Sequence, residues 1–284
     1  MGKRILIIGA SGFIGNALYK ELLSYFDVYG TYYSPDEFLN QNQVFYHFDA
    51  SKDDVDDILN TVHPQVIISC LGGDFKDLYK VHQQVSAYTA VTPDCRLLYI
   101  STVSVFDGYD KFPAYEKTKP LALSREGKYA IAVEKLLKEL PSQKYAILRL
   151  PLVLGVNAPK IIELKKAIRD GIPFEVYADL AINVTTDTKI SQQVHYIINQ
   201  NKYRIFHLGS NDLIHHHDLY EEIAEKLGTK KPVFKHIYEV NYDRFFAVLP
   251  KSNLLPEELR INVNDVITEI TLNESIQTLK TTIS

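Results

Sequence analysis

Three glycines, Gly9, Gly12 and Gly15, punctuate the segment Gly9-Ala10-Ser11-Gly12-Phe13-Ile14-Gly15 near the start of the 284-residue chain. At this spacing the first glycine permits a tight turn, the second lets backbone approach a diphosphate, and the third lets helix pack closely on strand. A helix starting here offers free N–H groups and the positive end of its dipole to phosphate oxygens. A bare turn that binds nothing can show the same spacing, so context decides. Ile5-Leu6-Ile7-Ile8 before the loop reads as a buried strand. Ile14, Ala17, Leu18, Leu22 and Tyr25 after it follow a helical period. The expected ligand is a dinucleotide, with Gly9, Ser11, Gly12, Phe13, Ile14 and Gly15 around its phosphates. Asp49, beside Ala50 at the end of the third strand candidate, is the expected acceptor for an adenine amino group. Thr31-Tyr32-Tyr33-Ser34 after the second strand has neither an acid for an NAD ribose nor an arginine for an NADP phosphate. Both NAD and NADP stay open.

Two other groups of ionisable residues stand out. Asp53, Asp54, Asp56 and Asp57 suit the first turn of a helix, with Ser51 and Asp54 as capping residues, better than they suit a cation. In His215-His216-His217 successive helical residues point about 100° apart, so three adjacent imidazoles cannot close on one ion. The run is expected as the solvent-exposed start of a helix over 216–227, and no metal site is assigned.

The elements that must position these residues alternate. Strands are expected at Val28–Tyr33, Val44–Phe48, Val66–Cys70, Leu97–Ile100 and Tyr145–Leu150, and helices near 52–61, 76–91 and 124–140. Strand alternating with helix implies right-handed crossovers and a doubly wound, Rossmann-type α/β fold with a parallel sheet. The second half is less regular, with helical patterns near 158–170, 187–200 and 216–227 and a strand at Arg204–Leu208. A dinucleotide-binding domain over 1–155, rejoined by chain near 184–210, and a smaller substrate-facing lobe over 156–284 are expected.

Composition narrows the partners. A net charge of −4, with 31 basic against 35 acidic residues, argues against nucleic acid or an anionic membrane surface. Two cysteines, Cys70 and Cys95, make no disulfide framework and suit a reducing, cytoplasmic setting. The apolar run Ile5–Ile8 is too short for a signal h-region, and no stretch reads as long enough to span a bilayer.

Together with Ile100-Ser101-Thr102, Val105-Phe106-Asp107-Gly108, Tyr115-Glu116, Leu148-Arg149 and His207-Leu208-Gly209, the loop resembles the extended short-chain dehydrogenase/reductases, in their dTDP-4-dehydrorhamnose reductase-like, nucleotide-sugar branch. The resemblance adds Leu71, Gly72, Gly73 and Pro151 to the cofactor-binding set. In such enzymes a Tyr and a Lys four residues apart on one helix face transfer the proton, and a Ser or Thr on the preceding strand orients the substrate oxygen. Thr102 fits that last role. The family's order has Gly directly after the Tyr and Glu eight residues after it, so Gly127 and Glu134 put Glu126 at the Tyr position and Ala130 at the Lys position. Both catalytic groups are then missing. Tyr115 and Lys119 form the chain's one Tyr-x-x-x-Lys, and Tyr115 is the runner-up acid, but Pro120 disfavours the helix such a pair needs. Tyr129 has Val133 four residues on, and His82 stands near where the family often carries Asn. The implied protein is an NAD(P)-binding reductase relative with a degenerate active site and atypical or weak reductase or epimerase activity on a nucleotide-sugar. The alternative is a non-enzymatic NAD(P)-sensing regulator or subunit, with a protein partner or homodimer.

Overall fold

The computed structural model describes residues 2–34, 37–73, 75–227 and 232–282. Its first half runs β1 (Arg4–Ile8), α1 (Phe13–Leu22), β2 (Asp27–Tyr32), α2 (Glu37–Asn40), β3 (Phe45–His47), α3 (Val55–Val62), β4 (Val66–Ser69), α4 (Phe75–Val91), β5 (Arg96–Thr102), α5 (Arg125–Leu137) and β6 (Tyr145–Leu150). It continues through β7 (Leu152–Leu154), α6 (Pro159–Asp170), β8 (Phe174–Tyr177), β9 (Leu180–Ile182), β10 (Val184–Thr186), α7 (Asp187–Asn199) and β11 (Arg204–His207). The tail adds β12 (Ile214–His215), α8 (His216–Lys226), β13 (Phe234–Ile237), β14 (Arg244–Phe246) and α9 (Val263–Thr282).

Seven parallel strands form the main sheet in the order β11-β6-β5-β4-β1-β2-β3. Residues alternate between its faces because the strand period is two. Ile5 and Ile7 pack with Leu18 and Leu22 of α1 and Ile190, Val194 and Ile197 of α7. Leu6 and Ile8 pack on the other face with α3, α4 and α5 through Leu59, Val81, Val85, Val133 and Leu137. Burial on both faces explains why β1 reads as an unbroken apolar run. The chain returns to this sheet at β11 after α7, whereas α6, β8, α8 and the start of α9 enclose a separate core around Ile161, Phe174, Tyr220 and Ile267.

Several expected boundaries shift for local reasons. The helix expected from 52 begins at Val55, because Asp53 turns back to accept the Asp49 N–H at 2.7 Å and Asp54 becomes the cap, accepting from Asp56 N. Strand β5 runs on to Thr102, paired with Leu150 of β6. Helix α9 follows the prolines of the tail where no helix is expected, with Val263, Val266, Ile267 and Ile270 carrying its apolar face.

Candidate functional site

The glycine loop joins β1 to α1. Gly9 sits at φ +91, which L side chains rarely adopt, and its N–H donates to Thr31 Oγ1 at 2.9 Å. At Gly15 an added Cβ would overlap the Gly9 carbonyl and crowd Ala10. These two glycines are required by the fold. Gly12 is different. Its backbone is ordinary, at φ −72 and ψ 168, and an added Cβ would meet only the Gly9 carbonyl oxygen, at 3.4 Å. Nothing among the described residues calls for glycine there, and the bare backbone at the uncapped start of α1 is open to a ligand. Ser11, Gly12 and Phe13 border a cavity of about 530 Å³ that reaches Asn16, Lys20 and Asp187. Ile14 points away from it, against the core beneath α1.

The residues expected at the adenine end also converge. Asp49, Ala50, Leu71, Gly72 and Gly73, with Tyr33, line a cavity of about 290 Å³ beyond the ends of β2, β3 and β4. A Cβ on Gly72 would meet nothing within 4 Å. The Asp49 carboxylate accepts from Ser51 Oγ at 2.6 Å, Ser51 N at 3.0 Å and Lys52 Nζ at 2.9 Å, and these bonds draw its pKa down to about 2. It is an ionised acceptor throughout the physiological range. The donor set fits a dinucleotide: bare backbone and a helix start at one end, a fixed carboxylate at the other. Pro151 lies buried just beyond β6, where a Cβ on Gly209 would come within 2.7 Å of its ring.

The corner where the resemblance puts the catalytic residues is assembled differently from a Tyr/Lys site. Helix α5 starts at Ser124, whose Oγ accepts the Gly127 N–H at 3.0 Å, and it presses Gly127 onto the Ser104 carbonyl so closely that no Cβ would fit. That contact fixes the helix register. Glu126 lies exposed in the first turn, where a carboxylate complements the helix dipole. Ala130 is 1% exposed and packs with Val103, Val105, Phe106, Ala114 and Val248. Thr102 ends β5, but its hydroxyl is engaged as a cap, accepting Ser104 N–H at 3.2 Å and donating to Ser104 Oγ at 3.1 Å. Tyr115 and Lys119 lie in a turn closed by Thr118 N to Tyr115 O at 2.9 Å, not on a helix. The ammonium over the Tyr115 ring, 4.9 Å from its centroid, belongs to Lys251.

Beneath this corner lie two buried polar clusters whose full extent sequence reading missed. Arg149 and Glu134 form a two-pronged pair at 2.8 and 2.6 Å, and Ser101 Oγ donates to the same carboxylate at 2.8 Å. Burial alone would raise the Glu134 pKa; the bonds and charge of Arg149, with Lys138 and Ser101, outweigh it and hold the group below the usual carboxylate range. Arg149 Nη1 also donates to His207 Nε2 at 3.3 Å, while His207 Nδ1 donates to Leu249 O. Burial and the Arg149 charge lower the His207 pKa to about 4. The second cluster centres on His82, whose Nδ1 donates to Leu78 O at 2.7 Å and whose Nε2 accepts from Ser69 Oγ at 2.9 Å. The Tyr129 hydroxyl lies 3.1 Å from that Nδ1. Burial lowers His82 to about 4 and raises Tyr129 well above the usual tyrosine range, so neither exchanges a proton near neutrality. Burial likewise pushes the thiols of Cys70 and Cys95 up to about 12 and 11, which makes them poor nucleophiles.

The histidine run also differs from its expected exposure. All three rings are half-buried, and His216 turns inward, its Nδ1 accepting the Tyr177 N–H at 3.3 Å.

Comparison with known proteins gives this arrangement its place. Residues 3–259 match the family model described as the RmlD substrate binding domain. The zebrafish (Danio rerio) methionine adenosyltransferase 2 subunit beta is 30% identical over 166 residues, covering 54% of this chain; the match spans 49% of that protein, about half its length. The Bacillus anthracis dTDP-4-dehydrorhamnose reductase, solved in complex with NADP, superposes with a TM-score of 0.76 at 20% identity, over 96% of this chain and 99% of its own. A Bacillus cereus UDP-glucuronic acid 4-epimerase solved with NAD gives 0.72 at 19% identity, over 97% and 99%. These two likenesses establish the fold. With the family model spanning nearly the whole chain, the protein belongs to the RmlD substrate binding domain family, the dTDP-4-dehydrorhamnose reductase-like group of extended short-chain dehydrogenase/reductases.

Proposed function

We propose that this chain binds NAD or NADP along the ends of β1 to β4 and carries out ordinary carbonyl reduction slowly or not at all. A nucleotide-sugar is the substrate class that such a fold would present to the cofactor. Such a cofactor supplies a hydride donor or acceptor when bound. The first turn of α1 would hold its phosphates through backbone N–H groups, and Asp49 would accept from its adenine. The observation that carries the second half of the proposal is Ala130: the position where a reductase needs an ammonium is an alanine closed among apolar side chains. Glu126 one turn earlier is exposed, and its side chain is roughly 1.5 Å shorter than tyrosine, a misplacement that alone costs on the order of a hundredfold in rate. Losing general acid assistance removes a further factor of about 10²–10⁴.

A second reading, a cofactor-sensing subunit of another protein, is favoured by the relative whose own name is that of a subunit. Domain limits near residue 155, a cytoplasmic setting and assembly with a partner or a second copy belong to this proposal as well. No helix among the described residues is long and apolar enough to cross a membrane.

Calorimetric titration with NADH and NADPH tests the binding. Gly12→Val should keep the fold and weaken affinity by more than about tenfold, the cost of about 1.4 kcal/mol in lost phosphate contact. Equal affinity in the variant and the wild type would place the phosphates elsewhere. Turnover on a panel of 4-keto nucleotide-sugars at ordinary enzyme rates, roughly 1–10³ s⁻¹, would overturn the catalytic half.

A further inference from the structure

The three histidines at the start of α8 diverge as helical geometry requires, but the fold brings other ligand-bearing residues to one of them. His215 reaches Asp243 at 3.3 Å, and His216 packs inward against Tyr220. His217 stands with Asp218 and Glu221, and one ligand atom from each lies within 4.8 Å of the others. Across from them, on β13, the ring of His236 lies 4.7 Å from that of His217, centroid to centroid. We propose that His217, Glu221 and His236, with Asp218, form a binding site for a divalent, borderline-soft cation of the Zn²⁺ type.

Residue type and placement both support this site. His217 and Glu221 are four residues apart and share one helix face. His236 comes from a strand, so the site is clamped between two elements and does not rest on one helical turn. Two imidazoles with two carboxylates suit zinc, nickel or copper, whereas magnesium and calcium prefer oxygen alone. Tetrahedral bonds of about 2.0–2.2 Å put ligand atoms roughly 3.4 Å apart, so the present spread must contract by rotamer changes. Asp218, at 56% exposure, and the exposed His236 have room to make them, while His217 already holds Asp218 Oδ1 through Nδ1 at 3.1 Å and keeps Nε2 for the ion. The neighbouring ammonium is held away: Lys235 precedes His236 on the strand, so it points to the opposite face, where it pairs with Glu175 at 2.8 Å.

Such an ion would have a structural consequence. Among the described residues β13 pairs with β8 alone, and it adds half-buried Phe234 to a core in which β8 already places Phe174 and Val176 beside α8. Joining His236 to α8 would add a tie on the β13 side between that pair and the helix whose Leu219, Tyr220 and Ile223 fill the second core. A ligand that binds only the folded form stabilises it by mass action.

The test uses the full chain, stripped with EDTA and titrated with Zn²⁺ by calorimetry and with Co²⁺ by visible absorption. The expected result is one equivalent bound, a visible Co²⁺ band of low-coordinate type, and a thermal midpoint raised by Zn²⁺ and lowered again by EDTA. His236→Gln and Glu221→Gln should each weaken binding by at least the roughly 10–100-fold seen when an outer partner of a metal ligand is lost. His236 is exposed, so its variant should fold even where His217→Gln disturbs the packing on Phe234. His215→Gln should leave affinity unchanged. Absence of stoichiometric binding overturns the site. So does binding that survives His236→Gln but is lost in His215→Gln, which would assign the ion to the tandem histidines alone.

Discussion

Placing a lysine at Ala130 measures how closed the catalytic corner is. At 1% exposure, among Val103, Val105, Phe106 and Val248, an ammonium there has no solvent; of the carboxylates one helical turn away, Glu134 is already held by Arg149 and Glu126 lies exposed at the surface. The protein's cheapest response is to deprotonate it. Bringing a lysine from an ordinary pKa of about 10.4 to neutrality at pH 7 costs about 4–5 kcal/mol, at about 1.36 kcal/mol per unit. The longer stem adds about 1–3 kcal/mol of overpacking. Ala130→Met carries a comparable stem without charge, so the difference between the two variants isolates the ammonium. At about 2–4 °C per kcal/mol, Ala130→Lys should melt roughly 10 °C below Ala130→Met at pH 7. The sign with pH is fixed: a lysine whose folded pKa is depressed destabilises while the unfolded chain is protonated and the folded chain is not. The gap should therefore shrink as pH rises toward the unfolded value near 10.4. Scanning calorimetry of both variants at pH 7 and pH 10 is the assay. Equal melting at pH 7 would mean that the ammonium reaches water or an anion through an open cleft. The corner would then be a reductase site lacking only its residues, and Glu126→Tyr with Ala130→Lys should restore turnover.

Other variants probe the supporting clusters. Glu134→Gln leaves the buried Arg149 charge uncompensated and should cost about 3–5 kcal/mol in denaturant unfolding, whereas Glu134→Leu with Arg149→Met should cost distinctly less; a double variant as unstable as the single one would refute the pair's role. Burial lowers His82 to about 4, so acid loads a proton onto the unfolded chain first, and part of the stability should be lost as pH falls from about 6.5 to about 4. His82→Asn should flatten that segment of the pH–stability curve, and superimposable wild-type and variant curves would show that His82 titrates normally. Gly15→Ala should impair folding where Gly12→Ala does not, checked by the thermal midpoint without ligand, because only at Gly15 would the new Cβ overlap the Gly9 carbonyl.

Much of the sheet was legible because it is buried on both faces. Strands such as β1, β4 and β6 announce themselves as apolar runs, and α1, α3 and α7 show their buried stripes. The short strands β8, β9, β13 and β14 did not. They hold three or four residues each, and the exposed or half-buried positions of β13 give no period to read. The glycine loop and Asp49 were readable from the local sequence, whereas Leu71, Gly72 and Gly73 beside Asp49 came only with the family resemblance. The Arg149–Glu134–His207 cluster was visible only as separate letters, since its members come from β6, α5 and β11 and meet only through the crossover topology. The meeting of His217 with His236 was hidden for the same reason: a strand that sequence does not announce cannot be placed beside a helix.

The structure also sorts the residues that make the chain resemble a reductase by what each is needed for. Gly127 is demanded by the approach of α5 to the Ser104 carbonyl, and Glu134 by Arg149, whether or not any reaction occurs. Their presence therefore speaks for the fold and is neutral about catalysis. Gly9 and Gly15 fall in the same class. Thr102 has a local reason as well, as the cap of the turn that follows β5. Gly12 and Gly72 are the exceptions, because neither position has a steric reason among the described residues to lack a side chain. Both face cavities, one at the expected phosphates and one at the expected adenine. Residues with no structural necessity are the informative ones, and here they speak for a ligand. The two positions where chemistry would require a phenol and an ammonium hold groups with ordinary local explanations, a dipole-facing carboxylate and a core alanine. The expected cofactor contacts and the expected proton-transfer positions thus rest on separate side chains, which is why dinucleotide affinity and reductase rate have to be measured separately.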